Sequence, residues 1–181
     1  MNLAERALLG NMTGAAPTPC SIYTAAMGTA VVFSAGLAVA YSGYGLYNPL
    51  PTGTQSAVKL VPLNVSAIPT ALSTAPNWFA LAKYIGTGTA FAGGASTGAV
   101  VQQGFAGTTT NQRAVVFGTG SMAVAPVYTK FMSAFGTGNP PGLVLFQLDG
   151  DMTVLPGEAV MFIQGIAGTG LCSFTWAEVP V

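Results

Sequence analysis

A chain of 181 residues is long enough to bury the core of one sizeable domain and short for two. Five basic and five acidic side chains cancel to zero net charge, and only 6% of residues are charged, against roughly 25% in an average domain. The balance argues against a nucleic-acid-binding face, and the absence of histidine excludes a Ser-His-Asp triad, a Cys-His pair and a histidine-ligated zinc.

The shortage of charge also makes a prediction about assembly. About half of the residues are apolar, and a free monomer with few charges and no net charge tends to associate. Obligate interfaces resemble a domain core cut in half, and they would absorb this apolar excess. We therefore expect a homo-oligomer whose surface is largely covered by partner subunits.

Residues 1–24 are predicted to form an N-terminal arm. Leu3 to Leu9 contains good helix formers and predicts a short helix, which Gly10 ends. Pro17 and Pro19 prevent the helix from continuing. A disordered tail is one interpretation, and an arm lying on a neighbouring subunit is the other. Apolar side chains favour the arm, and four of them are predicted partner contacts: Leu3, Leu8, Leu9 and Met12.

The segment from Ala25 to Tyr41 is largely apolar and approaches the length of a membrane-spanning helix. Large and small side chains alternate along it, however, with Val31, Phe33 and Leu37 on odd positions. A helix facing lipid has no reason to alternate in this way, and no basic residues flank the segment. We therefore predict a strand, bent or broken near Gly36, and no membrane association. The first residues also lack the features of a secretory signal.

Further strands are predicted along the rest of the chain. They cover Ala57 to Ile68, Trp78 to Ile85, Arg113 to Phe117 and Leu143 to Leu148, while Met122 to Phe135 fits a strand or a helix. Pro62 implies an edge position or a bulge in its strand. Eight to ten strands without alternating helices predict an all-β fold, a single antiparallel β-sandwich of the jelly-roll kind over residues 25–181.

Residues 42–54 are predicted to form a loop because glycine and proline recur in them. Tyr44 and Tyr47 lie in this loop. Exposed aromatic side chains often anchor interfaces, so both tyrosines are predicted partner contacts.

The stretch from Leu155 to Val181 predicts a closing β-hairpin. Val160, Phe162 and Gln164 share one face of a first strand, and the second strand alternates through Phe174 and Trp176. Phe174 and Trp176 are predicted to be core residues. Two of the few charged residues, Glu158 and Glu178, are predicted to mark exposed ends or subunit seams.

No catalytic, cofactor or metal site is predicted, and an enzyme is not expected. Gly86-Thr-Gly88 and Gly118-Thr-Gly120 lack the Lys-Ser/Thr of a phosphate-binding loop, so we interpret them as turns. Asp149, Asp151 and Glu158 could in principle bind calcium, but Asp-Gly is a common turn dipeptide. Cys20 and Cys172 could pair, although two free buried cysteines are favoured.

The closing segment resembles small virion proteins of tailed bacteriophages. The likeness lies in the LPGE turn, the Gly/Thr-rich loop and the terminal SFTWAEVPV, with a similar layout in PTPCSIYTAA, LYNPLPTG and AVKLVPLNVSAI. The resemblance implies a capsid cement or decoration protein, often a trimer on the outer surface of the head, which bridges major capsid subunits. Alternatives are a head fibre base, a tail or receptor-binding tip protein, and a membrane-associated protein.

Overall fold

A computed structural model of the chain describes residues 21–27, 30–33, 41–70, 75–85, 91–92, 99–103, 113–122, 125–135, 143–148 and 150–181. Within these ranges the fold is all-β, with twelve strands and no helix. The first six are β1 (Ser21–Met27), β2 (Val31–Phe33), β3 (Tyr41–Tyr47), β4 (Val58–Pro69), β5 (Asn77–Ile85) and β6 (Phe91–Ala92). The others are β7 (Ala99–Gln103), β8 (Val115–Met122), β9 (Tyr128–Phe135), β10 (Val144–Gln147), β11 (Glu158–Gln164) and β12 (Gly168–Pro180).

The strands form two antiparallel sheets, as a β-sandwich requires. Sheet A has the order β10-β4-β12-β1-β7, with β2 paired to the beginning of β12. Sheet B has the order β6-β8-β3-β11-β5-β9. The all-β prediction is confirmed, and the predicted helix lies outside the described residues. Because β1 begins at Ser21, the arm boundary predicted after residue 24 falls inside a strand.

The strand pairing is nested along the chain. β1 pairs with β12, β3 with β11, β4 with β10 and β5 with β9, so early strands pair with late ones and middle strands with each other. Within sheet A, pairing of β4 with β12 joins the β4–β10 pair to the β1–β12 pair. Within sheet B, pairing of β5 with β11 joins the β5–β9 pair to the β3–β11 pair. The chain therefore runs as one long antiparallel ribbon rolled into two sheets.

The predicted closing hairpin is wrong. Both of its strands exist, but β11 belongs to sheet B and β12 belongs to sheet A. The connection at residues 165–167 crosses from one sheet to the other, and the Gly165 N–H donates to the Trp78 carbonyl of sheet B before the crossing. Period-two alternation identifies a strand and its two faces, but it does not say which strand lies beside it.

The main core fills the space between the sheets. Its largest wholly buried side chains include Trp176 and Phe174 from sheet A, and Tyr44, Phe79 and Phe162 from sheet B. The Phe174 ring lies 5.5 Å from that of Tyr44, and the Phe79 ring 5.1 Å from that of Phe162. Burial of such rings is the largest apolar contribution available to a chain of this size. The core roles predicted for Phe174 and Trp176 are confirmed.

β4 contains the irregularity that its proline predicts. Pro62 lacks an N–H to donate, and the register between β4 and β12 shifts between Thr175 and Trp176, opposite this proline. β4 nevertheless lies inside sheet A, between β10 and β12, rather than at an edge. The bulge, which was one of the two predicted explanations, is the one that the structure contains.

Candidate protein interface

One buried carboxylate connects the two sheets. The side chain of Glu178 on β12 is only 5% exposed. Its oxygens accept hydrogen bonds from the backbone N–H of Arg113 and of Ala114, at 2.8 Å and 2.9 Å to Oε1, and from the indole Nε1 of Trp176 at 3.2 Å. Arg113 and Ala114 lead into β8 of sheet B, so Glu178 holds the beginning of β8 against sheet A.

A second buried carboxylate belongs to an ion pair. Glu158 at the beginning of β11 lies 2.7 Å from the Lys83 Nζ, and the ammonium also donates to the Thr153 carbonyl at 2.7 Å. The other bond to Glu158 Oε2 comes from the Leu155 N–H. Both glutamates are buried, so the prediction that they mark exposed ends is wrong, while a place at subunit seams stays a prediction. The Lys83 ammonium and a backbone N–H compensate the charge of Glu158, and two backbone N–H groups and an indole N–H compensate that of Glu178.

Charge is distributed unevenly over the sandwich. Lys130 pairs with Asp151, so five of the seven described charged side chains contact one another or backbone N–H groups. All seven lie in one half of the sandwich. This half extends from the middle of the strands to the end that contains the last residues of β12 and the first residues of β11. The other half of the described fold contains no charged side chain. The seven are Lys59, Lys83, Arg113, Lys130, Asp151, Glu158 and Glu178.

The outward side of sheet A carries hydroxyl groups that bond to one another across strands. Thr24 bonds to Thr175 at 3.1 Å, Ser66 to Ser173 at 2.5 Å, and Thr70 to Thr169 at 2.7 Å. This outward surface of sheet A extends from the β4 bulge to the end of the sandwich that has no described charged side chain. We call it the neutral face. Because its hydroxyl groups already have partners, covering them with another protein would leave few polar groups unsatisfied.

Apolar side chains continue the neutral face at the β10 edge. Leu143 is 62% exposed, Leu145 54% and Ile68 44%. The pairing of Val144 with Ala67 and of Leu145 with Ser66 places these three side chains on one side of the sheet. On the same side, Asn64 Oδ1 is buried and has no hydrogen-bond donor. Exposed apolar side chains that lie together at the edge of a sheet supply area that a docked protein could cover.

The predicted partner contacts have different outcomes. Leu3, Leu8, Leu9 and Met12 lie outside the described residues. The loop predicted for residues 42–54 is wrong in its first part, because Tyr41–Tyr47 is strand β3. The Tyr44 ring is wholly buried and its hydroxyl donates to the Ala25 carbonyl at 3.0 Å, so Tyr44 is a core residue. Tyr47 is half-buried on the outward side of sheet B, and its contact with a partner stays a prediction.

Sequence reasoning also missed Asn48, the residue after β3. It is 1% exposed, and its amide nitrogen donates to the carbonyls of Val58 and Val154 at 2.8 Å and 2.9 Å. The Asn48 N–H and carbonyl bond to Glu158 and Gly157. A polar side chain next to a proline ordinarily indicates a turn. Here the asparagine of the Asn-Pro pair also connects the end of β3, the beginning of β4 and the segment that leads into β11 through its hydrogen bonds.

Cys172 is free and buried between the sheets, as predicted; Cys20 lies outside the described residues. Burial raises the pKa of the Cys172 thiol well above its ordinary value. The pKa of Tyr44 is raised too, first by burial and then by Cys172. A folded state with raised pKa values keeps its protons while the unfolded chain loses them, so stability is complete below the unfolded pKa and falls as pH rises past it.

We therefore expect the free energy of unfolding to fall from about pH 8.5 upward, by at most about 1.4 kcal/mol per pH unit for each group. Urea denaturation at a series of pH values measures this. Cys172→Ala is expected to be less stable at pH 7 because it leaves a small cavity, and to show a flatter decline between pH 8.5 and 10. Equal slopes for the two proteins would contradict a buried neutral thiol.

Within the described residues, no helix has the length and apolar character needed to cross a bilayer. Among the same residues, no three histidine, cysteine or acidic side chains cluster as metal ligands would. Asp149 is not described, while Asp151 and Glu158 contact lysines. Comparison with protein-family models, with curated proteins and with solved structures finds no match.

Proposed function

We propose that this protein is a jelly roll that serves as a capsid cement or decoration protein of a tailed bacteriophage. In this proposal a homotrimer sits on the outer surface of the head and bridges neighbouring major capsid subunits, without catalysis, cofactor or nucleic acid. Nested pairing of first strand with last supports the jelly roll, because two Greek keys rolled from one antiparallel ribbon define that architecture.

Jelly rolls occur in viral capsid proteins, in lectins and in cupins. The fold therefore does not distinguish these functions, and the surface residues have to. A histidine-ligated metal site of the cupin kind has no residues to build it here. The surface of sheet A instead carries paired hydroxyl groups and exposed leucines, which are typical of a protein that docks on another protein. Functions of this kind depend on complementary surfaces rather than on reactive groups.

The neutral face is the observation that carries the proposal. Charged groups are costly to bury at an interface unless they are matched, and the neutral face carries no described charge to match. Its exposed leucines at the β10 edge supply apolar area. Such a face fits a permanent contact with a shell better than a contact that forms and breaks repeatedly.

The test is binding of the purified protein to heads assembled from the major capsid protein of the same genome. We expect saturable binding that raises the temperature at which the heads open. Leu145→Glu places one charge on the neutral face at an exposed position and is expected to weaken binding by tenfold or more. Gln55→Glu adds the same charge to an exposed loop away from this face, and binding is expected to stay within twofold.

Two results would contradict the proposal. One is the failure of the unmodified protein to bind heads while it remains folded. The other is equal binding by both glutamate variants, which would show that the neutral face makes no contact. Analytical ultracentrifugation tests the trimer separately. A monomer at the protein concentrations that decorate heads would contradict the proposed trimer.

A further inference from the structure

Strand β10 lies at one end of the strand order of sheet A. It pairs with β4 on one side, and no described strand pairs with its other side, which we call the open edge. Natural edge strands are usually protected from pairing with other chains by a charge, a proline or a bulge. β9, at one end of sheet B, has such protection, because it contains Lys130 and a register shift against β5. β10 has the sequence VLFQ and pairs with β4 without a shift, so it has none of these features.

The backbone of β10 directs hydrogen-bonding groups to the open edge. The Leu148 N–H donates to the Leu63 carbonyl of β4, and this bond fixes the alternation of the antiparallel ladder. The Thr70 N–H, at the end of β4, donates to β12 instead, as the same alternation requires. The even positions of β10 therefore bond to β4. The N–H and carbonyl groups of Leu145 and Gln147 point to the open edge.

Both sides of β10 carry apolar side chains. Leu143 and Leu145 are exposed on the outward side. Val144 and Phe146 are half-buried on the inward side, and Val144 packs against the core. A strand that pairs with the open edge would therefore have to be uncharged and apolar on both of its sides. The segment LVLFQ, which contains β10 itself, has this character.

We propose that β10 pairs with β10 of a second copy of this chain, about a twofold axis at Leu145. In this register Leu145 lies opposite its own counterpart and Leu143 lies opposite Gln147. These residue pairs exchange the backbone hydrogen bonds that point away from β4. On the inward side Val144 lies opposite Phe146, and a β-branched residue across from an aromatic one stabilises paired strands. No charged side chain is present in the segment, so no like charges oppose each other.

The geometry of this contact separates it from the proposed trimer. Edge pairing is twofold, whereas a trimer has threefold contacts. Because β10 is short, the contact belongs with the small protein interfaces, and we expect it to form where copies are concentrated. Directly opposed side chains lie on the same side of a sheet. The neutral faces of the two copies would therefore lie side by side in one continuous sheet.

Residue-resolved hydrogen exchange of the full chain tests the pairing. The amides of Leu145 and Gln147 are expected to exchange threefold or more slowly at about 1 mM than at about 20 µM, since they gain acceptors only in the pair. Val144 and Phe146 bond to β4 in either case, and their exchange is expected to stay unchanged. Equal exchange of Leu145 and Gln147 at both concentrations would overturn the proposal. A slowing that appears only when phage heads are added would also overturn it.

Gln147→Pro isolates the open edge. Proline removes one N–H that points away from β4, and edge strands tolerate proline at such positions. The slowing at Leu145 is expected to disappear in Gln147→Pro and to stay within twofold in Gln147→Ala, which keeps the N–H. Slow exchange of Val144 shows that the proline variant is folded. Equal slowing at Leu145 in both variants would contradict the pairing. Both variants keep the exposed leucines and neither measurement needs heads, so the result is independent of the capsid role.

Disulfide crosslinking tests the register and does not depend on a proline variant. Leu145→Cys, in a chain that also carries Cys20→Ser, places two thiols across the twofold axis. The Cα atoms of such a bonded pair lie about 5.5 Å apart, which a disulfide can span. We expect a product with the mass of two chains to form at least tenfold faster than from Ile68→Cys, which is exposed on the same side but one strand away. Equal rates would overturn the proposed register.

Discussion

Replacing Glu178 with alanine is expected to lower the free energy of unfolding by about 3–5 kcal/mol. The change leaves the N–H groups of Arg113 and Ala114 and the Trp176 indole without their shared acceptor. A buried donor that loses its acceptor costs on the order of 1–3 kcal/mol. The loss also removes the contact that holds the beginning of β8 to sheet A. Urea denaturation at pH 7, with the slope checked for two-state behaviour, measures the change.

Two variants separate the hydrogen bonds from the charge. Glu178→Gln keeps one acceptor oxygen at the same distance along the side chain, and a loss of about 1–2 kcal/mol is expected. Asp151→Ala removes a carboxylate whose side chain is 59% exposed, and a change within about 0.5 kcal/mol is expected. If Asp151→Ala and Glu178→Ala cost the same, the network around Glu178 does not stabilise the fold as described.

The second large effect is expected at Gly45, where alanine should cost at least about 3 kcal/mol. A Cβ built on Gly45 lies 2.7 Å from the Phe117 Cζ and 3.0 Å from the Met161 Cα, and closer still to the Val160 carbonyl oxygen. Two of these neighbours are backbone of β11, the strand paired with β3. They cannot move aside without separating the strands, so the thermal midpoint should fall by about 6–12 °C.

Gly53→Ala is the matched control for this change. No heavy atom lies within 4 Å of a Cβ at Gly53, but the backbone there has a φ of 60°. Its cost is therefore limited to the strain of a left-handed conformation, about 1–2 kcal/mol. A Gly45→Ala protein as stable as Gly53→Ala would mean that β3 and β11 pair more loosely than the structure shows.

The sequence predicted strands better than it predicted their partners. Period-two patterns along Trp78 to Ile85 and along the closing segment identified β5, β11 and β12. In β12 the burial alternates as the pattern predicts, whereas β5 and β11 are buried on both sides. The choice of neighbour depends on residues far away in the chain. Two strands separated by three residues therefore looked like a hairpin although they lie in different sheets.

Glycine-rich segments do not indicate a turn wherever they occur, for a related reason. The SGYG motif of β3 predicts a turn by composition, yet Gly45 is there because a backbone and a ring approach it closely. Tyr44 beside it was predicted to contact a partner from a loop and is a core residue of a strand. Nothing local indicates that Glu178 would find two N–H groups before β8. Buried charge networks of this kind depend on tertiary contacts, so their residues resemble surface residues in the sequence.

The pairing of β1 with β12 sets a limit on how the chain can fold as it is made. Ser21 pairs with Glu178, and translation at 5–20 residues per second separates the synthesis of these two residues by about 8–30 s. During that time β1 has no native neighbour in β12, and an unpaired strand edge is prone to aggregation. High contact order also slows folding after release. Yields in rapid overexpression should therefore improve at low temperature or with added chaperones.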